Sequence, residues 1–276
     1  MSGRTINAAL IQMCAGEDPE ANIDWLSRRI ADAAGQGADL VVTPENSHAM
    51  VSGQAAREAA AMSDNHDARL APLYQAAKRA GLMLCIGSIT VKTAKGLANR
   101  CLLIGPDGAL LSSYDKIHLF DVDLPGGESY RESDSMVAGE RAVTADIQSP
   151  SARLGLSICY DLRFANLYRM LAQSGAEIIT VPAAFTVPTG QAHWETLLRA
   201  RAIETGAFIL APAQTGQHAC GRATWGHSLA ISPWGEVLAD GGTDEGVTLV
   251  SLKLDKVAKA RASIPQLQHG RDFSTD

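Results

Sequence analysis

Short apolar runs separated by stretches of helical periodicity constrain this chain more than any other feature. The runs lie at 6–13, 40–43, 83–89, 101–104, 154–159, 178–181, 208–213, 228–232 and 247–252, each bounded by Gly, Pro or charge. Too short to read as buried helices, they predict strands. Between several of them, apolar residues recur at helical spacing. Asp18-Pro19 reads as a cap and first turn, after which Ile23, Leu26, Ile30 and Ala33 share a face. Leu70, Leu73, Ala77 and Ala80 form a second stripe, stopped by Gly81. Leu167, Met170 and Leu171 form a third, ending at Gly175, and 192–205 carries Trp194, Leu197, Leu198 and Ala202 inward. Strands alternating with helices predict an α/β layer architecture. No repeat, charge run or Pro/Gly linker interrupts the chain, so residues 1–276 are expected to form a single domain.

Composition narrows the partners. The formal charge is −6 at pH 7, which disfavours nucleic acid and anionic membranes. No apolar stretch approaches the roughly 20 residues that span a bilayer. The N-terminal residues run into an alternating segment and not into an apolar leader core. There are five cysteines, an odd number, with no CxxC pair and no metal-ligand spacing to histidine. Free thiols in the cytoplasm, and neither metal nor organic cofactor, are therefore expected. Phosphate-loop and dinucleotide fingerprints are absent.

Three segments carry residues suited to chemistry. In 153–163, Cys159 ends an apolar run and Asp161 can cap the following helix. A thiol there points off a sheet edge near free backbone N–H groups, although a small buried core cysteine fits the same pattern. In 114–123, Lys116 lies among Ile117, Leu119 and Phe120. It is either a solvated edge charge or, if buried beside a thiol, a cation that favours the thiolate and an oxyanion. In 40–47, Glu45 follows Pro44 at the end of a buried strand, where open α/β sheets bind ligands, and it also reads as an exposed turn acid.

Taken together, Thr43-Pro-Glu45, Tyr114-Asp-Lys-Ile-His-Leu119 and Gly155-Leu-Ser-Ile-Cys-Tyr-Asp-Leu-Arg-Phe164 resemble the nitrilase superfamily, in its chain order, with 71 and 43 positions between the three residues. The resemblance runs from Ala8 to Phe273. It implies a four-layer α-β-β-α sandwich, a Glu45–Lys116–Cys159 catalytic triad, and pairing into homodimers or larger homo-oligomers. It also implies a second glutamate after the lysine loop, matching Glu132, with Glu128 close by. The implied chemistry is amide hydrolysis through a cysteine thioester. Glu45, its pKa raised by burial, acts as general base, and Lys116 with the Tyr160 N–H holds the oxyanion.

The segments 118–123, 184–186, 189–204 and 225–228 resemble the branch containing deaminated glutathione amidase and ω-amidase. Both act on the distal amide of a 2-oxoglutaryl compound. Deaminated glutathione is the expected substrate and 2-oxoglutaramate the alternative, with Arg163 matching the position that binds the 2-oxo-acid carboxylate. A nitrilase, an N-carbamoyl amidohydrolase and a catalytically silent scaffold are the rival readings. Ala165-Asn166 and Trp225 depart from the branch's usual residues. His193 and His227 read as packing or hydrogen-bonding residues, and Arg199 and Arg201 as partners in ion pairs. Cys14, Cys85 and Cys101 read as core, and Cys220 as an exposed loop thiol.

Overall fold

Alternate side chains of the strand β1 (Thr5–Gln12) enter two different apolar layers: Ala9 and Ile11 face one, Ala8 and Leu10 the other. A strand apolar on both faces must be covered on both, and this requirement sets the architecture. The computed structural model describes residues 4–124, 127, 129–148 and 150–275. After β1 come β2 (Leu40–Val42), β3 (Met83–Thr93), β4 (Gly96–Ile104) and β5 (Leu110–Asp115), then a hairpin of β6 (Asp121–Asp123) and β7 (Ser129–Arg131). A second group comprises β8 (Val143–Gln148), β9 (Ser151–Leu156), β10 (Ile178–Thr180) and β11 (Phe208–Ala211). A further hairpin, β12 (Thr215–Gln217) with β13 (Ala223–Trp225), precedes β14 (Leu229–Ile231), β15 (Val237–Asp240) and β16 (Gly246–Lys253).

Two six-stranded sheets result, ordered β16-β1-β2-β3-β4-β5 and β15-β14-β11-β10-β9-β8. Central pairs are parallel and outer pairs antiparallel. Leu10, Val42, Cys85 and Leu103 of the first sheet share one buried cluster with Leu154, Leu156, Ile178 and Ile209 of the second. The helices α1 (Pro19–Gly35) and α3 (Ala71–Ala80) cover the outer face of the first sheet. Between them lies the short α2 (Gln54–Ala60). The helices α4 (Ala165–Gln173) and α5 (Val187–Thr205) cover the second sheet, and α6 (Asp255–Ser263) follows β16. The order helix–sheet–sheet–helix is the expected four-layer sandwich.

Helix boundaries and faces differ from the sequence reading in three places. The expected helix at 192–205 begins at Val187, because Pro188 in its first turn needs no N–H partner and supplies a helical φ. On α4 the buried face is Leu167, Tyr168, Leu171 and Ala172. Met170, read as part of the stripe, is 56% exposed. It lies about 130° round the helix from that face at about 100° per residue. Ala80 likewise points to solvent, its place taken by Ala76 one turn earlier. Short or half-polar strands such as β5, β8 and β15 also escaped the apolar-run reading.

One glycine fixes how the sheets meet at the site. A Cβ on Gly87 of β3 would clash with the Thr43 and Pro44 carbonyl oxygens and with Pro182. Gly87→Ala is therefore expected to cost about 3 kcal/mol or more in urea unfolding. It should also lower turnover about a hundredfold by displacing the strand end that carries Glu45. A wild-type unfolding midpoint would refute this.

Candidate active site

Each proposed reactive side chain lies just past the end of a strand, where the ladder stops and side chains are free to converge. Glu45 follows β2, Lys116 follows β5 and Cys159 follows β9. The β2 exit is tightly braced. The Thr43 and Ser47 hydroxyls hydrogen-bond at 2.7 Å, Ser47 Oγ donates to the Pro44 carbonyl at 2.6 Å, and Gln214 Nε2 donates to the Glu45 carbonyl at 2.9 Å. Asn46 takes a φ of 55° to complete the turn.

Cys159 was expected at a strand end, but β9 stops at Leu156. Cys159 instead opens a 3₁₀ turn, Cys159–Arg163, with a φ of 50°. A non-glycine residue in that region is strained, and here the surroundings over-determine it. The Cys159 N–H donates to the Pro182 carbonyl at 2.9 Å. Asp161, fully buried, caps the turn by accepting from the Ile158 N–H at 2.9 Å. The same carboxylate accepts from the Tyr114 hydroxyl at 2.6 Å and the His118 N–H at 3.1 Å. One acid thus ties the cysteine turn to the segment bearing Lys116.

The reactive groups meet at the edge between the sheets. Lys116 Nζ lies 2.8 Å from Glu45 Oε1 and 2.9 Å from Glu132 Oε2, and Lys116 is 2% exposed, which rules out a solvated edge charge. Asn99 Nδ2 donates to Glu45 Oε1 at 2.9 Å and to Glu132 Oε1 at 3.1 Å. Glu45 Oε2 accepts from the Ala184 N–H at 2.9 Å, and Glu132 Oε2 from the Phe120 N–H at 2.7 Å. The Cys159 thiol lines the same cavity as the Glu45 carboxylate, near enough for each to shift the other's ionisation. Glu132, the expected second glutamate, is thus in contact with Lys116, while Glu128 lies outside the described residues.

Electrostatics corrects the expected state of Glu45. Burial pushes its carboxyl up as anticipated, but Lys116, the thiol and Arg222 outweigh burial and hold it below the usual carboxylate range. Burial opposes the Lys116 ammonium, yet Glu132 and Glu45 raise its pKa. The Cys159 thiol is pushed well up, by burial first and then by Glu45, with Lys116 opposing. The resting site accordingly pairs a carboxylate base with a neutral thiol beside a fixed cation.

A cavity with about 770 Å³ of empty volume is lined by these groups and by a wall of rings. Phe120 stands 5.2 Å from both Tyr130 and Tyr160, centroid to centroid. Arg163 lines the cavity with its guanidinium over Tyr160 at 5.8 Å and Phe185 at 5.7 Å. Its polar contact is His193 Nδ1 at 3.4 Å, with no carboxylate in ion-pair range among the described residues. Tyr160 follows the thiol directly in the turn, which brings its N–H beside the sulfur.

The other singled-out residues fall outside this contact set. His227 pairs with Asp240 at 3.0 Å and stacks on Trp225, and exposed His193 lies only alongside Arg163. Arg199 and Arg201 pair with Glu195 and Glu204 on their own helix. Cys85 and Cys101 are core, but Cys14 is only half-buried, its sulfur 3.7 Å from His218 Nδ1, and Cys220 is half-buried too. Asn99 and Arg222 were missed. Asn99 did leave a signal, a polar residue inside an otherwise apolar strand, whereas Arg222 sits in a loop with no local pattern.

His48, on the same loop as Glu45, was also unremarked. It is buried, and burial followed by the Arg69 charge pulls its pKa down to about 3. Its Nε2 accepts the Thr90 N–H at 3.3 Å, which requires the neutral ring. The unfolded chain protonates this histidine near its ordinary 6.5. The stability it contributes is therefore intact above 6.5 and lost as pH falls toward 3, by up to about 1.4 kcal/mol per pH unit. Denaturant unfolding at pH 7, 6 and 5 should show this loss, and His48→Gln should flatten it.

Among the described residues no helix is long and apolar enough to cross a membrane. Comparison with known proteins agrees with the geometry. The carbon-nitrogen hydrolase family profile matches residues 7–262. A deaminated glutathione amidase of Yersinia enterocolitica is 39% identical, over 99% of this chain and 95% of its own. The omega-amidase NIT2 of Homo sapiens is 37% identical, over 95% and 94%. The crystal structure of the C. elegans NitFhit protein superposes with a TM-score of 0.90 at 33% identity, spanning 98% of this chain and 66% of that longer one. With a buried carboxylate and a half-buried one gripping an ammonium beside a thiol, and with a family profile that spans the chain, this chain belongs to the carbon-nitrogen hydrolase family.

Proposed function

We propose that the protein hydrolyses the distal amide of a 2-oxoglutaryl compound, deaminated glutathione foremost, releasing 2-oxoglutarate and Cys-Gly. The observation that carries the reading is the Glu45–Lys116 ion pair sharing with Cys159 a cavity whose wall holds Arg163 without an acidic partner among the described residues. A free guanidinium beside the nucleophile suits the 2-oxo-acid carboxylate. The names of the relatives divide between the two candidate substrates, so ω-amidase activity on 2-oxoglutaramate is the second reading.

The mechanism follows from the resting state. Glu45 takes the proton from the thiol as sulfur attacks the amide carbonyl. The carbonyl oxygen becomes an anion held by the Lys116 ammonium and the Tyr160 N–H. Glu45 returns the proton to the departing nitrogen, the C–N bond breaks, and a thioester on Cys159 remains. Water gives a proton to Glu45 and attacks the thioester; the C–S bond breaks as Glu45 passes that proton to the departing sulfur, restoring the thiol and the carboxylate. Glu132 positions Lys116 throughout. The scheme uses side chains and backbone alone, with no metal or organic cofactor. A cytoplasmic setting fits the five unpaired thiols, and homodimers or larger homo-oligomers complete the reading.

Initial rates of 2-oxoglutarate release from both substrates test the proposal. A preference of about a hundredfold for deaminated glutathione, roughly 2.7 kcal/mol in the transition state, is expected. The reverse preference makes the protein an ω-amidase. Turnover of simple amides or N-carbamoyl compounds alone would overturn the branch assignment.

A further inference from the structure

The cavity offers a second cation that the scheme above does not use. Arg222 leaves the β12–β13 hairpin and lines the cavity wall, with its guanidinium over the Tyr130 ring at 5.3 Å. Its Nη2 donates to the Ala184 carbonyl at 2.6 Å. Its Nε is buried with no hydrogen-bond partner, and no carboxylate pairs with it among the described residues. A guanidinium held at a cavity wall with its charge unmatched and a donor unsatisfied is under-partnered in the free protein. Other cavity arginines differ: Arg131 grips both oxygens of Asp123, and Arg57 donates to the Ser135 hydroxyl and has no buried nitrogen left without a partner.

Position tells what Arg222 would bind. The rings Tyr130, Phe120 and Tyr160 form a continuous wall, with Arg222 stacked at the Tyr130 end and Arg163 at the Tyr160 end. These two guanidiniums therefore bracket the stretch of cavity in front of Cys159. Arg222 is also tied to Glu45 through one residue: its Nη2 donates to the Ala184 carbonyl, and the Ala184 N–H donates to Glu45 Oε2 at 2.9 Å. Glu45 must face the departing nitrogen, so the Arg222 side of the cavity is the leaving-group side, and Arg163 is left to the acyl half.

We propose that Arg222 binds the terminal carboxylate of a peptide-like leaving group, so that the site is built for a dianionic substrate carrying one carboxylate on each side of the scissile amide. Deaminated glutathione has that form; 2-oxoglutaramate has the acyl carboxylate only. The assignment rests on the amidase reading above and specifies its leaving-group subsite.

The test compares kcat/KM for deaminated glutathione with that for its analogue amidated at the terminal carboxylate, in wild type and in Arg222→Gln. The acid-to-amide ratio isolates the carboxylate from any general damage to the site. In wild type the ratio should be about 30, which is about 2 kcal/mol at 1.36 kcal/mol per tenfold. In Arg222→Gln it should fall to within about threefold of unity, and Arg222→Lys, which keeps the charge and loses the fork, should fall between. Arg57→Gln should keep the wild-type ratio. Equal ratios in wild type and Arg222→Gln, or collapse in Arg57→Gln instead, would overturn the assignment while leaving the amidase reading intact. Turnover of 2-oxoglutaramate but of neither dipeptide substrate would overturn the assignment and leave the ω-amidase reading; turnover of none of the three would overturn both.

Discussion

Cys159→Ala is expected to lower kcat by on the order of 10⁵ to 10⁶, while substrate still binds. In the proposed mechanism the thiol supplies the bond-forming atom, and among the described residues the partners of the Glu45 carboxylate are Lys116, Asn99 and the Ala184 N–H, all donors. Those three interactions persist in the variant. The alanine keeps the backbone turn fixed by Pro182 and Asp161, so the unfolding free energy should change by no more than about 1.5 kcal/mol, the worth of one hydrogen bond. Isothermal titration with substrate and denaturant unfolding separate these two quantities. Wild-type protein should also take up one equivalent of an amide-mimicking electrophile, with peptide mapping placing it on Cys159 and the variant unlabelled. Residual turnover above about one part in a thousand would remove the cysteine from the mechanism.

Lys116→Met has the second-largest expected effect, and it acts on rate, pH profile and stability together. The ammonium lies between two carboxylates in a site where Glu45 is 3% exposed. Removing it deletes an oxyanion donor, worth about 10² to 10³ in kcat. It also leaves the two carboxylates facing each other with the Asn99 amide as the remaining bridge. Loss of one partner from a buried ionic set typically costs about 3–5 kcal/mol, to be read from denaturant unfolding.

The pH profile follows from the sign of the Glu45 shift. With Lys116 present the carboxyl sits below its ordinary range, so the base stays ionised and kcat/KM on 2-oxoglutaramate should be flat from about pH 6 to 8. Without the cation, burial dominates and the carboxyl rises, so the base is lost as pH falls through about 7 to 5. An acid limb appearing there is the expected result. A slower enzyme with an unmoved limb and wild-type stability would show that Lys116 neither holds Glu45 ionised nor anchors the site.

What could be read from the chain by itself was the material with local periodicity. Ile23, Leu26, Ile30 and Ala33 recur at the helical period because their helix lays one face on a sheet, and the pattern survives in sequence whatever the rest does. The apolar runs around Leu10, Val42 and Leu156 mark strands buried on both faces. Glu45 and Cys159 stood out because each closes such a run, Lys116 because it sits among apolar residues, and all three because they carry motifs; their convergence followed from a resemblance, since nothing local joins them. Tertiary structure decided the rest. Asp161 is what links the Cys159 turn to the Lys116 segment, through Tyr114 of β5 and His118 just beyond it. Burial alone argued for a raised Glu45 carboxyl, and the reversal came from a cation 71 positions away that packs 2.8 Å from it. Asn99 and Arg222 reached the site in the same manner, from a strand and a hairpin with no shared motif. Local forces write periodicity into a sequence, but Coulomb interactions depend on distances that only chain packing sets.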